Sequence, residues 1–251
     1  IGDMPIYVGY DSADVYSNQE LFQLKISGEM KYKSGCPPCE YQENGQVWGN
    51  PLYQWEEHEK SEFIWWKNRF SKLLEMVDLI RLDHFIGYHR YYRIPVNDET
   101  AENGEWLNSP GDKLFSKMTS VIHKGNIISE DLGDVTKGVT KLRDKYKYPG
   151  MRVLQFDLEN IPNIDNDKNN SVVYTGTHDN DTIMGWFSTL PELDSNPETL
   201  TKEKLLNFFK CTSDELNWKV IDYAMSSGGN ICIIPIQDIL LLDSSSRFNT
   251  P

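Results

Sequence analysis

The stretch Leu79-Ile80-Arg81-Leu82-Asp83-His84-Phe85 decides how this chain is read. An apolar approach, Val77 to Ile80, delivers an arginine, an aspartate and a histidine in quick succession. In a strand the side chains alternate faces, so Arg81 and Asp83 point the same way, about 7 Å apart. An arginine beside a carboxylate favours its ionised form. A carboxylate nucleophile needs that charge, and the end of a strand is where a barrel or open sheet keeps its chemistry. The structural alternative is an Arg–Asp ion pair that ties a strand to its neighbour, the commoner use of such a pair. The rest of the chain decides between the two.

Upstream, Trp66, Phe70, Leu73, Leu74 and Val77 recur at helical spacing and predict an amphipathic helix feeding the strand at 79–83. Earlier still, Pro5-Ile6-Tyr7-Val8 reads as a short apolar strand. Residues 28–57 carry Gly, Pro and aromatic punctuation without sustained periodicity, and read as a long ordered loop, a length that usually signals function. Downstream, Leu114, Phe115, Met118, Val121 and Ile122 predict a helix, and Ile127-Ile128-Ser129 a strand ending in Glu130 and Asp131. Val135, Val139 and Leu142 mark a shorter helix, stopped by Pro149-Gly150. Strands follow at Met151 to Phe156, at Val172-Val173-Tyr174 and at Ile231 to Pro235, with helical patterns near 202–210 and 214–225. Six strands alternate with helices, which predicts parallel α/β architecture. Carboxylates at several successive strand ends fit a TIM-type barrel better than a doubly wound sheet, whose ligands gather at one switch point. The sequence shows neither an internal repeat nor a clear domain boundary, so residues 1–251 read as one barrel segment.

Composition closes off other classes. A formal charge of −13 argues against nucleic acid, which rewards basic faces. Membrane insertion is not expected, since no apolar run approaches the roughly 18 residues of a span. Cys36-Pro37-Pro38-Cys39 is a C-x-x-C, but no second ligand pair stands at zinc spacing and no thioredoxin-like strand precedes it. It reads as a rigid turn with reduced thiols, and no metal site is expected. Many of the seven Trp, thirteen Tyr and ten Phe are expected in the core. Those in loops also suit sugar faces, because such rings offer an apolar plane with a polar handle.

Asp83, Glu130 and Asp179 fall near the ends of three different strands, which converge on one face in a barrel. Two carboxylates about 5 Å apart across a sugar make a retaining glycosidase pair, one nucleophile and one acid/base. Arg81 marks Asp83 as the ionised member, and like charges near Glu130 should raise its pKa, as a proton donor requires. Asp179, with His178 beside it, could orient sugar hydroxyls and support an oxocarbenium-like transition state. Acidic residues at strand ends also serve as helix caps.

The chain resembles the 4-α-glucanotransferase family, called amylomaltase or disproportionating enzyme, within the α-amylase clan. Six stretches carry the resemblance, in the family's order. They are Gly2-Asp3-Met4-Pro5-Ile6-Tyr7-Val8, Gly45-Gln46-Val47-Trp48-Gly49-Asn50-Pro51-Leu52-Tyr53, Arg81-Leu82-Asp83-His84-Phe85, Ser129-Glu130-Asp131-Leu132-Gly133, Tyr174-Thr175-Gly176-Thr177-His178-Asp179-Asn180 and Arg247-Phe248-Asn249-Thr250-Pro251.

The resemblance implies retaining transfer of α-1,4-glucan segments between maltooligosaccharide, starch or glycogen chains through a covalent glycosyl-enzyme, without metal or organic cofactor. Asp83 is then similar to the family's nucleophile, Glu130 to its acid/base and Asp179 to its transition-state stabiliser. Arg81 and His178 match the groups that flank nucleophile and sugar, while Gln46, Trp48 and Asn249 fall where the family contacts glucan. Asp3 matches an aspartate leading to the site, for which a structural role is equally open. After Pro37-Pro38 the family usually has an aspartate and two aromatics; here stand Cys39, Glu40 and Tyr41, of which Tyr41 keeps one stacking face. The family's barrel has eight strands and the resemblance starts at its third, so the chain is expected to be a piece of a larger enzyme, with about six strands and the first two missing. Two rival functions stand beside this one, an α-amylase-type hydrolase and a non-catalytic glucan-binding remnant. The expected setting is cytoplasmic, or plastid in a plant or alga.

Overall fold

In the computed structural model, which describes residues 1–39, 42–123, 125–162, 164 and 170–250, the chain divides into two units, Ile1–Tyr148 and Pro149–Pro251. The division falls at Pro149-Gly150, which the sequence marks only as a helix stop.

The first unit runs β1 (Gly2–Met4), α1 (Ala13–Ser17), β2 (Tyr32–Cys36), β3 (Gln46–Pro51), α2 (Trp55–Lys60), α3 (Ile64–Leu74), β4 (Ile80–Leu82), α4 (Ile86–His89), β5 (Arg90–Pro95), β6 (Glu105–Asn108), α5 (Gly111–Met118), β7 (Ile127–Ser129) and α6 (Lys137–Tyr146). Strands β1, β4 and β7 pair in parallel, with Asp3 opposite Arg81 and Arg81 opposite Ile128. The first strand is Gly2–Met4, not Pro5 to Val8 as the apolar pattern suggested. Pro5 has no N–H to give a ladder, and the carbonyls beyond the strand find side chains instead. Arg69 Nη2 donates to the Pro5 carbonyl at 2.6 Å and the Tyr53 hydroxyl to that of Ile6 at 2.6 Å. Ile6 and Tyr7 are still buried, as core without being strand.

The segment 28–57 is not the loop its punctuation predicts. It holds β2 and β3, which join β5 and β6 in an antiparallel sheet of order β3-β2-β5-β6. Its central pairing, Gly35 opposite Tyr92, links residues far apart in sequence, so no local pattern announces it. Gly35 is required there by close approach, since a Cβ at that position would lie 2.0 Å from the Gln46 carbonyl oxygen. Arginine and aromatic side chains hold the sheet together, Arg90 lying 4.0 Å from the Trp106 ring centre and Arg93 4.3 Å from that of Tyr32.

Much of the aromatic content is core. Tyr53, Trp66, Phe70, Phe85, Tyr88 and Phe115 are fully buried and in mutual contact. Each such side chain stabilises the fold by about 1.5–3 kcal/mol relative to exposure.

The second unit runs β8 (Gly150–Val153), α7 (Leu154–Leu158), β9 (Ser171–Tyr174), α8 (Ile183–Thr189), α9 (Lys202–Phe209), α10 (Leu216–Ser226), β10 (Ile231–Ile233) and α11 (Ile236–Ile239). Strands β8, β9 and β10 are again parallel, over a core of Leu154, Val173, Ile183, Leu205, Leu216 and Val220. Phe156, expected at the end of a strand, lies in α7. The sequence reading also missed α8, which is capped by the Thr182 side chain accepting from the Gly185 N–H at 3.0 Å. Each unit thus holds three parallel strands followed by helices, the α/β pattern of a TIM-type barrel. Among the described residues no helix is long and apolar enough to cross a membrane.

Candidate active site

Parallel register builds the cluster in the first unit. Asp3 on β1 and Arg81 on β4 are direct partners, so their side chains leave the sheet on the same side. Asp83 and Glu130 follow β4 and β7 by one residue, and each continues the ladder. The Asp83 N–H donates to the Met4 carbonyl at 3.1 Å, and the Glu130 N–H to that of Leu82 at 3.0 Å. Two residues on from Arg81 and from its partner Ile128, both carboxylates extend the same face.

Arg81 is the cation of this face. Its Nη1 reaches both oxygens of Asp3, at 2.8 and 2.9 Å, and Oδ1 of Asp83 at 3.0 Å. The Arg81 side chain is 8% exposed, those of Asp3 and Asp83 42% and 36%. Burial works against the guanidinium charge, but the Asp3, Asp83 and Glu130 carboxylates outweigh it and hold the pKa above its ordinary value.

Glu130 has the opposite character. Part of its side chain reaches the surface, yet protein atoms crowd its carboxyl, and this crowding pushes the pKa up to about 8. Arg81 and the His84 N–H oppose the rise, while Asp83 and Asp131 add to it. Like charge, the cause expected from sequence, is therefore the smaller contribution and burial the larger. Oε2 of Glu130 accepts the His84 N–H at 2.7 Å.

Trp48 and Gln46 stand on β3 and bond each other, the indole N–H donating to Gln46 Oε1 at 2.7 Å. The Trp48 ring lies edge-on to His84, with centroids 4.9 Å apart. Asn50, on the same strand, donates to the Val8 carbonyl at 3.1 Å and fixes the strand near the end of the β1 segment. The first unit thus brings Asp3, Arg81, Asp83, Glu130, Trp48 and Gln46 into one neighbourhood. Tyr41 lies outside the described residues.

The second unit gathers His178, Asp179 and Asn249 by itself. Asn249 Nδ2 donates to the His178 carbonyl at 3.1 Å and to Asp179 Oδ1 at 3.3 Å, and His178 Nε2 lies 3.3 Å from Asp179 Oδ2. All three are exposed. Arg247, which the sequence reading gave no role, donates to the Asp179 carbonyl at 3.3 Å. Beneath them lies Asp238, a buried carboxylate with a raised pKa, caused first by burial. Asp238 accepts the Thr175 hydroxyl at 2.6 Å and the Ile183 N–H at 2.7 Å, bracketing the loop that carries Asp179. Its only sequence signal is a lone carboxylate after the last strand.

Chemically, the first unit presents a carboxylate paired with a buried cation next to a carboxyl that stays protonated near neutrality. Those are the two states that a nucleophile and a proton donor need. Among the described residues no group of three or more His, Cys, Asp or Glu could hold a metal ion, and the positive charge beside Asp3 and Asp83 comes from Arg81.

Comparison with known proteins agrees with this geometry. A family model described as 4-alpha-glucanotransferase matches residues 1–251. The 4-alpha-glucanotransferase of Synechocystis sp. is 41% identical, the match covering 100% of this chain and 50% of that protein. The chloroplastic/amyloplastic 4-alpha-glucanotransferase of Solanum tuberosum is 43% identical over 100% of this chain and 43% of its own length. An amylomaltase from Streptococcus agalactiae, solved in complex with acarbose, is similar with a TM-score of 0.89 at 32% identity, covering 100% of this chain and 50% of that one. The chain therefore spans about half the length of the curated relatives it matches. With its whole length matched by the family model, the chain belongs to the 4-alpha-glucanotransferase family.

Proposed function

We propose that this chain carries the catalytic carboxylates of a 4-α-glucanotransferase acting on α-1,4-glucans and maltooligosaccharides. One observation supports this above the rest. At neighbouring strand ends stand Asp83, paired with Arg81 at 3.0 Å, and Glu130, its pKa pushed up to about 8.

In the first step an Asp83 oxygen attacks the anomeric carbon while Glu130 gives its proton to the glycosidic oxygen. The glycosidic bond breaks, an ester to Asp83 forms, and the shortened glucan leaves. In the second step Glu130, now a carboxylate, takes the proton of an acceptor 4-hydroxyl, whose oxygen displaces Asp83 with net retention. Asp179 and His178 hold sugar hydroxyls and stabilise the cationic transition state. Trp48, Gln46 and Asn249 contact the glucan, and Asp3 keeps Arg81 in place. The residues use no cofactor in this scheme.

A hydrolase would share the first step and let water collect the ester. The antiparallel sheet that carries Trp48 and Gln46 favours transfer, because walls beside the ester limit water. We infer a cytoplasmic setting, or the plastid in a plant or alga, the compartment in the name of the Solanum tuberosum relative. Maltotriose offered to the intact protein tests the proposal. Transfer yields glucose together with oligomers longer than the substrate, whereas only shorter products would contradict it.

A further inference from the structure

His84 follows the nucleophile candidate directly, yet nothing so far gives it a task. Its backbone is left-handed, at φ 47°, a conformation uncommon for residues other than glycine, in which histidine is enriched beside asparagine and aspartate. Such a conformation persists where the surroundings impose it, and it is often tied to function. Here it ends β4 and turns the His84 N–H onto Glu130 Oε2 at 2.7 Å. The next residue completes a clamp, the Phe85 N–H donating to the Glu130 carbonyl at 2.9 Å. The imidazole does something separate. It meets Trp48 edge-on at 4.9 Å, and a Cβ at Gly87 would come within 3.0 Å of its Cδ2, so the ring is seated between β3 and the start of α4.

We propose that His84 is a positioning residue with two separable parts, a left-handed N–H that aims the Glu130 carboxyl and an imidazole that supports the Trp48 ring. A neutral carboxyl accepts hydrogen bonds best at its carbonyl oxygen. The N–H on Oε2 therefore makes Oε2 the carbonyl oxygen and leaves the transferable proton on Oε1. Proton donor and sugar-facing ring are in this way mounted on one residue. The groups that also face Glu130 are Arg81, Asp83 and Asp131. Burial lowers the His84 pKa to about 4, so its ring stays neutral through the working range and adds no charge of its own.

The catalytic side of the proposal rests on Glu130 being the acid/base; the N–H contact does not. Two variants of the intact protein separate the parts. His84→Gly keeps the left-handed backbone and removes the ring. His84→Val strongly disfavours that backbone, with His84→Ala as the milder substitute should the valine variant not fold. Carboxyl 13C NMR of labelled glutamate reads the Glu130 pKa without needing activity. The expected result is an unchanged Glu130 pKa in His84→Gly and a raised one in His84→Val or His84→Ala, because the lost N–H bond favoured the charged form. In maltotriose assays the alkaline limb should move with that pKa. The acceptor KM should rise roughly three- to tenfold in His84→Gly, the worth of one aromatic contact. Equal pKa shifts in His84→Gly and His84→Val, or none in His84→Val, overturn the role of the N–H, and an unchanged acceptor KM in His84→Gly overturns that of the ring. If Glu130→Gln keeps full activity, the acid/base reading fails, and the NMR result still decides whether the N–H positions Glu130.

Discussion

Arg81 and Asp3 face each other on adjacent parallel strands, and one guanidinium nitrogen spans both Asp3 oxygens while holding Asp83 at 3.0 Å. The sequence suggested an Arg–Asp pair within one strand. The structure adds a second carboxylate from the neighbouring strand, so the ion pair that the sequence suggested joins two strands instead of one.

Replacing this cation should therefore be costly. Arg81→Met leaves Asp3, Asp83 and Glu130 without their shared positive charge, and turnover should fall about a hundredfold or more. The alkaline limb should move upward, because Arg81 helps to ionise Glu130. Arg81→Lys restores charge without the planar fork and should recover only part of the loss. Initial rates from pH 5 to 10 measure both effects.

Glu130 also couples stability to pH. Its folded pKa of about 8 lies above the ordinary 4.5, so in that window the folded state holds a proton that the unfolded state has released. Stability contributed by this group is fully present below about pH 4.5 and is lost as pH rises through 8, a few kcal/mol at most. Glu130→Gln removes the titration. Thermal unfolding should show its Tm gaining on the unmodified protein between pH 5 and 9, and a constant difference would contradict the assignment.

Part of this was legible in the sequence. Ile80–Leu82, Ile127–Ser129 and Ser171–Tyr174 are short apolar runs closed by chemistry-bearing residues, and buried parallel strands leave that trace. The sheet formed by β2, β3, β5 and β6 left none, since Gly35 and Pro37 mask any alternation and its central pairing, β2 with β5, spans a long sequence distance. The left-handed backbone of His84 is only weakly signalled, because histidine is enriched in that conformation but adopts it at a minority of positions. Aromatic abundance fitted both core and sugar-facing loops, and Tyr53, Trp66 and Tyr88 belong to the core.

Trp48 is only partly buried and bonds Gln46, so its loss should touch sugar handling more than folding. Trp48→Ala should lower transfer relative to hydrolysis by about tenfold, the value of roughly 1.4 kcal/mol in ring contact. Quantifying maltotetraose and longer products against net reducing-end release gives the ratio. An unchanged ratio would mean that the ring serves packing alone.

Asp238 anchors both ends of the loop that bears Asp179, through Thr175 and Ile183. Asp238→Ala leaves a buried hydroxyl and a helix N–H without their acceptor and should destabilise the protein by about 2–4 kcal/mol. Asp238→Asn keeps one acceptor oxygen and should cost less. Denaturant unfolding of the two variants gives the ordering, and equal stabilities would contradict it.

The division of labour between Asp83 and Glu130 is open to a direct measurement. In Glu130→Gln the second step lacks its base, so a donor with a good leaving group should glycosylate the protein and stay attached. Mass spectrometry of proteolytic fragments from the intact protein should then place the added sugar on the peptide that contains Asp83, and Asp83→Asn should be inactive. A sugar on Asp179 or elsewhere, or an Asp83→Asn protein with full activity, would contradict the account.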